Sequence, residues 1–88
     1  MPIPERRYST RIPCKQRASL VLDLKRQPCL VLDSSKNGFR VRGSFRLRRG
    51  QVVEIILDED PLNPVRCSVV WVAKAGSKQE GEVGLETL

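Results

Sequence analysis

The sequence predicts an all-β fold, a six-stranded antiparallel β-barrel with a flexible N-terminal arm and no C-terminal helix. Three observations carry that expectation. Apolar residues alternate with polar ones in short runs, as in Phe39-Arg40-Val41-Arg42 and Val53-Glu54-Ile55, which is the period of a strand with one face buried. Turn-forming clusters such as Asp33-Ser34-Ser35-Lys36-Asn37-Gly38 separate these runs at hairpin spacing. No stretch sustains a helical period. Closing six short strands into a barrel removes the edges that an open sheet would present. At 88 residues the chain is one small domain, read as an arm over residues 1–16 and a barrel over residues 17–88.

The elements follow in order. Leu20, Leu22 and Leu24 share one face of the first strand, and Lys25-Arg26-Gln27-Pro28 reads as the turn after it. The second strand runs from Cys29 to Leu32 and ends at the cluster from Asp33 to Gly38. Phe39 and Val41 point inward from the third, with Arg40 and Arg42 outward. Gly43-Ser44 breaks that strand, Leu47 tucks back, and Arg49-Gly50 turns the chain into a fourth strand carrying Val53, Ile55 and Leu57. An acidic loop from Asp58 to Pro64 precedes the fifth, Val65 to about Lys74. Ala75-Gly76-Ser77-Lys78 leads to the sixth, Val83 to Leu88.

Composition excludes several classes of function. The chain has no histidine, so Ser-His-Asp and Cys-His nucleophilic machinery is absent, and no enzymatic activity is expected. Cys14, Cys29 and Cys67 are widely spaced and form no CxxC pair. They read as reduced thiols rather than a zinc site or disulfide framework, with Cys29 and Cys67 as small core residues. No cofactor or metal is expected. No run approaches the ~20 apolar residues of a membrane span, and no apolar segment follows the N-terminal charges as in a secretory signal. A cytoplasmic protein without membrane contact is the expectation.

Net charge is +6 and unevenly spread. Arg6, Arg7, Arg11, Lys15 and Arg17 stand against Glu5 alone near the N-terminus, and Arg40, Arg42, Arg46, Arg48 and Arg49 form a second cluster. Acids gather in Asp58-Glu59-Asp60 and near the C-terminus. Such asymmetry points to an anionic partner. Arginine dominates the basic set, and its guanidinium fork matches phosphates and guanine edges with paired hydrogen bonds. The second cluster is assigned to a solvated barrel face, with phosphate or partner contact as the alternative.

Two patterns then align. Arg7-Tyr8-Ser9-Thr10-Arg11 is an RxxxR ahead of the first strand, and Asp33 to Gly38 is a DxSxxG after the second. Together they resemble the PilZ domain family. Leu47-Arg48-Arg49-Gly50 before Val53-Glu54-Ile55, and Val69-Val70-Trp71 before Gly84-Leu85, extend the resemblance over nearly the whole chain. It departs from many members in ending at the sixth strand, without their C-terminal helix.

The resemblance implies a bacterial receptor for the second messenger cyclic di-GMP, with Arg6, Arg7, Arg11, Asp33, Ser35, Gly38 and Trp71 at the ligand. Their chemistry is consistent with that. Guanine N7 and O6 accept two hydrogen bonds from an arginine, and the opposite edge presents N–H donors to a carboxylate such as Asp33. Ser35 adds a hydroxyl, and Gly38 permits a backbone conformation or close approach that a side chain would block. Asp33 and Ser35 also fit a local turn-stabilising role. Trp71 is a strand aromatic suited to packing, and the resemblance places its position beside the ligand. The ligand is one molecule or an intercalated pair; by the same resemblance Arg6, directly before RxxxR, favours the pair, with the guanidinium stacked on guanine.

The expected mechanism is an arm that orders over the ligand and signals to a downstream protein partner. Two alternatives stand beside it. A small basic barrel binding single-stranded nucleic acid would need aromatic stacking platforms, and only Tyr8, Phe39, Phe45 and Trp71 are available. A PilZ-like protein-interaction adaptor that no longer binds nucleotide would not need both motifs intact.

Overall fold

The computed structural model describes residues 12–88, with side chains from Lys15 onward. Six strands form a closed barrel: β1 (Ile12–Leu22), β2 (Lys25–Ser35), β3 (Gly38–Arg42), β4 (Val52–Leu57), β5 (Val65–Val72) and β6 (Glu82–Thr87). Their order around the barrel is β1-β2-β3-β6-β5-β4, every neighbouring pair antiparallel. The all-β barrel read from the sequence is therefore the fold. Alternation sends Ala18, Leu20, Val31, Val41, Val53, Ile55, Cys67, Val69, Val83 and Leu85 into a single core. Leu47, on the segment that crosses from β3 to β4, closes over that core, as its apolar position in a basic stretch suggested.

The first hairpin differs from the sequence reading. Its turn is Asp23-Leu24, with φ of 52° and 66°, and Lys25 to Pro28 lie within β2. Two consecutive left-handed residues make a tight turn whose twist matches that of the flanking strands. Leu24 consequently projects into solvent, 98% exposed, instead of joining Leu20 on the inward face. Pro28 is tolerated because β2 has one partner there: it pairs with Ser19 of β1, whereas pairing with β3 begins at Leu30.

β1 starts at Ile12, so residues 12–16, read as part of the arm, belong to the strand. Its register with β2 shifts between Pro13 and Gln16, and Pro13 pairs with Asp33. The chain thus enters the barrel beside the DxSxxG segment. Arg6, Arg7 and Arg11 lie outside the described residues.

Candidate functional site

Two further β-bulges decide what the outer wall presents. On β2, Val31 pairs with Val41 and both point into the core, but the next pair is Asp33 with Arg40. Leu32 is the extra residue. In unbroken alternation Asp33, two residues after Val31, would share its parity and face the core. The bulge turns its carboxylate outward, alongside Arg40. On β5, Val69 pairs with inward-facing Leu85, and the next pair is Trp71 with Gly84. Val70 is the extra residue there, and Trp71 is turned to the outer wall in the same way. Asp33, Arg40, Gly84 and Trp71 therefore stand side by side across β2, β3, β6 and β5.

The polar half of this row is an ion-pair chain. Arg40 Nε donates to Asp33 Oδ2 at 2.8 Å, and Arg40 Nη1 donates to Glu82 Oε1 at 3.0 Å. Arg42 Nη2 donates to the other oxygen of Glu82, also at 3.0 Å. Glu82 is 4% exposed and Asp33 7%, so bonds to these arginines replace hydrogen bonds that water would otherwise supply. Desolvation acts against the charge on Arg40, but hydrogen bonds and attraction from Asp33 and Glu82 outweigh it and raise its pKa. Arg40 is thus not part of a solvated face, as the sequence suggested. Its outward parity was correct, and the bulge at Leu32 and the buried Glu82 supply partners that alternation alone does not reveal. Arg46, Arg48 and Arg49 are exposed as expected.

The DxSxxG segment is mostly strand. Asp33, Ser34 and Ser35 end β2, and only Lys36 and Asn37 turn the chain into Gly38. Ser35 Oγ accepts from the Asn37 backbone N–H at 3.3 Å, the local turn contact its hydroxyl type favours. The Asn37 carbonyl accepts from both the backbone N–H and the hydroxyl of Thr87, each at 2.8 Å. That pins the turn to the end of β6. Gly38 serves close approach: a Cβ there would overlap the Leu85 carbonyl oxygen of β6.

Trp71 owes its place to Gly84. A Cβ on Gly84 would overlap the indole Nε1 and lie 2.5 Å from Cδ1 and Cε2, so the ring lies directly on the β6 backbone. Gly84→Ala is expected to lift the indole into solvent, red-shifting tryptophan emission, and to cost about 1–2 kcal/mol. Trp71 is the sole tryptophan, so the emission reports this position alone. An unshifted spectrum would show that the ring does not rest on β6.

The structure thus brings Asp33 into one row with Trp71, and sets Ser35 and Gly38 at the turn beyond Asp33. Sequence reasoning did not assign Arg40, Glu82 and Gly84 to this site. The signal for Arg40 was its position two residues after the DxSxxG glycine, while Glu82 and Gly84 join only through β3–β6 pairing. A cleft of about 650 Å³ lies between Arg42, Phe45, Ala75 and Glu82 at one end of the barrel, apart from Asp33, Ser35, Gly38 and Trp71.

A closed barrel that displays a charged and aromatic row on its wall defines a small β-barrel binding module. The sequence matches the family model of the PilZ domain over residues 5–88. The chain belongs to the PilZ domain family, the cyclic di-GMP receptor domains. Domains of this family bind ligands rather than catalyse reactions, and they often interact with partner proteins. No curated protein matches the chain significantly.

Proposed function

We propose that this chain binds cyclic di-GMP on the outer wall of the barrel, between Asp33 and Trp71, with RxxxR supplying the cations. The observation that carries this reading is the row itself. Two bulges place a carboxylate and an indole on the wall, and Pro13, two residues after Arg11, pairs with Asp33. An extended chain spans at most ~3.6 Å per residue, so Arg7 is tethered within reach of the same wall. The Asp33 carboxylate accepts from guanine N1–H and N2–H, Arg7 and Arg11 take the Hoogsteen edge or a phosphodiester, and Trp71 stacks on a base. Arg6 caps an intercalated pair of ligand molecules. The arm then carries the signal by changing position over the ligand, and a protein partner reads the rearranged surface.

Charge-assisted hydrogen bonds contribute ~1.5–3 kcal/mol each, so three or four, less the cost of fixing the arm, correspond to roughly micromolar affinity. Calorimetric titration of the wild type with cyclic di-GMP is expected to show binding, with two ligands per chain. Asp33→Ala, Arg7→Ala and Arg11→Ala are each expected to weaken it by at least about tenfold. No heat with the wild type would refute the proposal. Tight oligonucleotide binding with steep salt dependence would favour a nucleic-acid role instead.

A further inference from the structure

We propose that Arg40, braced by Glu82, is a positioning residue that aims the Asp33 carboxylate and so sets the preference for guanine. This rests on the nucleotide site proposed above. Arg40 belongs to neither sequence motif, yet its guanidinium is bonded to the motif carboxylate. Its Nε holds Asp33 Oδ2 at 2.8 Å while its Nη1 holds Glu82 Oε1 at 3.0 Å. The guanidinium is planar, so a group bound at each of two nitrogens fixes the plane. Glu82 is itself anchored, 4% exposed on its side chain, with Arg42 on its second oxygen at 3.0 Å. Orientation is therefore transmitted from a buried carboxylate, through a rigid fork, to Asp33.

Charge separates this role from phosphate binding. Arg40 and Arg42 balance Asp33 and Glu82 within the network, so the four groups together add no net attraction for a phosphodiester. What they supply is direction. A carboxylate held at a set angle can accept from both guanine N1–H and the exocyclic N2–H. A carboxylate that has lost its bond to the Arg40 fork keeps its charge and is aimed less strictly at that paired geometry. Lysine at position 40 would offer a point charge without the planar fork.

The test compares cyclic di-GMP with cyclic di-IMP, which lacks the exocyclic amine, by titrating the full chain and following thermal unfolding of each variant. Wild type is expected to prefer the guanine ligand by about tenfold or more, the worth of one charge-assisted hydrogen bond. Arg40→Met and Arg40→Lys are expected to bring the two affinities within about threefold of each other. Arg40→Lys keeps the charge and guards against a variant that fails to fold. Glu82→Gln shifts the ratio in the same direction. Adding Arg40→Met to Asp33→Asn is expected to change nothing further, because the carboxylate to be aimed is gone. A merely structural role for Arg40 would lower stability and leave the ratio unchanged, and that result would overturn the inference. So would an additional loss in the double variant, which would make Arg40 a direct contact. Failure of the wild type to bind either ligand would overturn the proposed function and this inference together, whereas binding with an unaltered preference in the Arg40 variants would overturn this inference alone.

Discussion

Gly38→Ala is expected to cost the barrel about 3 kcal/mol or more, which for a domain of this size lowers Tm by roughly 10–20 °C. The reason is space. A Cβ at Gly38 would overlap the Leu85 carbonyl oxygen and come within 3.0 Å of its carbon and 3.1 Å of Glu86 Cα. These are backbone atoms of β6, so no rotamer change relieves the overlap, and the β3–β6 seam has to open. The seam resists that from both sides. Gly38 pairs with Glu86, and Thr87 grips the Asn37 carbonyl one residue before Gly38. Gly76→Ala is the appropriate control. Its φ of 85° is strained for alanine, but nothing lies within 4 Å of the added Cβ, so its cost stays near 1 kcal/mol. Urea or thermal unfolding of both variants decides the matter. If Gly38→Ala were as mild as Gly76→Ala, β6 would have to yield far more easily than its hydrogen bonds imply.

Alkaline pH is expected to have an effect of similar size. Burial pushes the thiols of Cys29 and Cys67 from 9.0 up to about 11, with the charge of Asp58 adding to the rise at Cys29. Between those values the unfolded chain has released two protons that the folded chain still holds. Unfolding is then favoured by deprotonation, so stability is level below about pH 9 and falls as pH rises towards 11. Two pKa units correspond to about 2–3 kcal/mol for each thiol. The pair together, about 5 kcal/mol, is comparable with the whole stability of a small domain. Urea unfolding at a series of pH values from 8 to about 11 tests this, with Cys29→Ala and Cys67→Ala combined as the control. That variant starts less stable because it leaves small cavities, yet its stability should decline less steeply with pH. An identical decline would assign the alkaline loss to other groups.

Much of the barrel was legible because strand alternation is a local property. Phe39 and Val41, and Val53 with Ile55, identify their inward faces without reference to any partner. Leu47 could be placed over the core because it is the apolar residue in a run of arginines. The first hairpin could not be resolved in this way. Leu20, Leu22 and Leu24 have one parity and Cys29 and Val31 another consistent set, so a turn at Asp23-Leu24 and a turn at Lys25–Pro28 bury the same β2 residues. The first pairs Cys29 with Ala18, as observed, and the second would pair it with Leu24. Barrel closure favours the first, since β1 must also meet β4, with Leu20 opposite Ile55.

For the candidate site, the sequence by itself determined the inward set of the strands, the lack of imidazole chemistry, and the two motifs that mark the PilZ domain family. Each of these depends on residue type and short spacing. Only the tertiary structure decided that Asp33 and Trp71 face outward. Unbroken alternation would send Asp33 to the core with Val31, and a bulge reverses it through pairing with Arg40 on a neighbouring strand. The same holds for Trp71 across from Gly84, and for Glu82, which reaches Arg40 from 42 residues away. A bulge is an agreement between two strands about register, so neither strand specifies it alone.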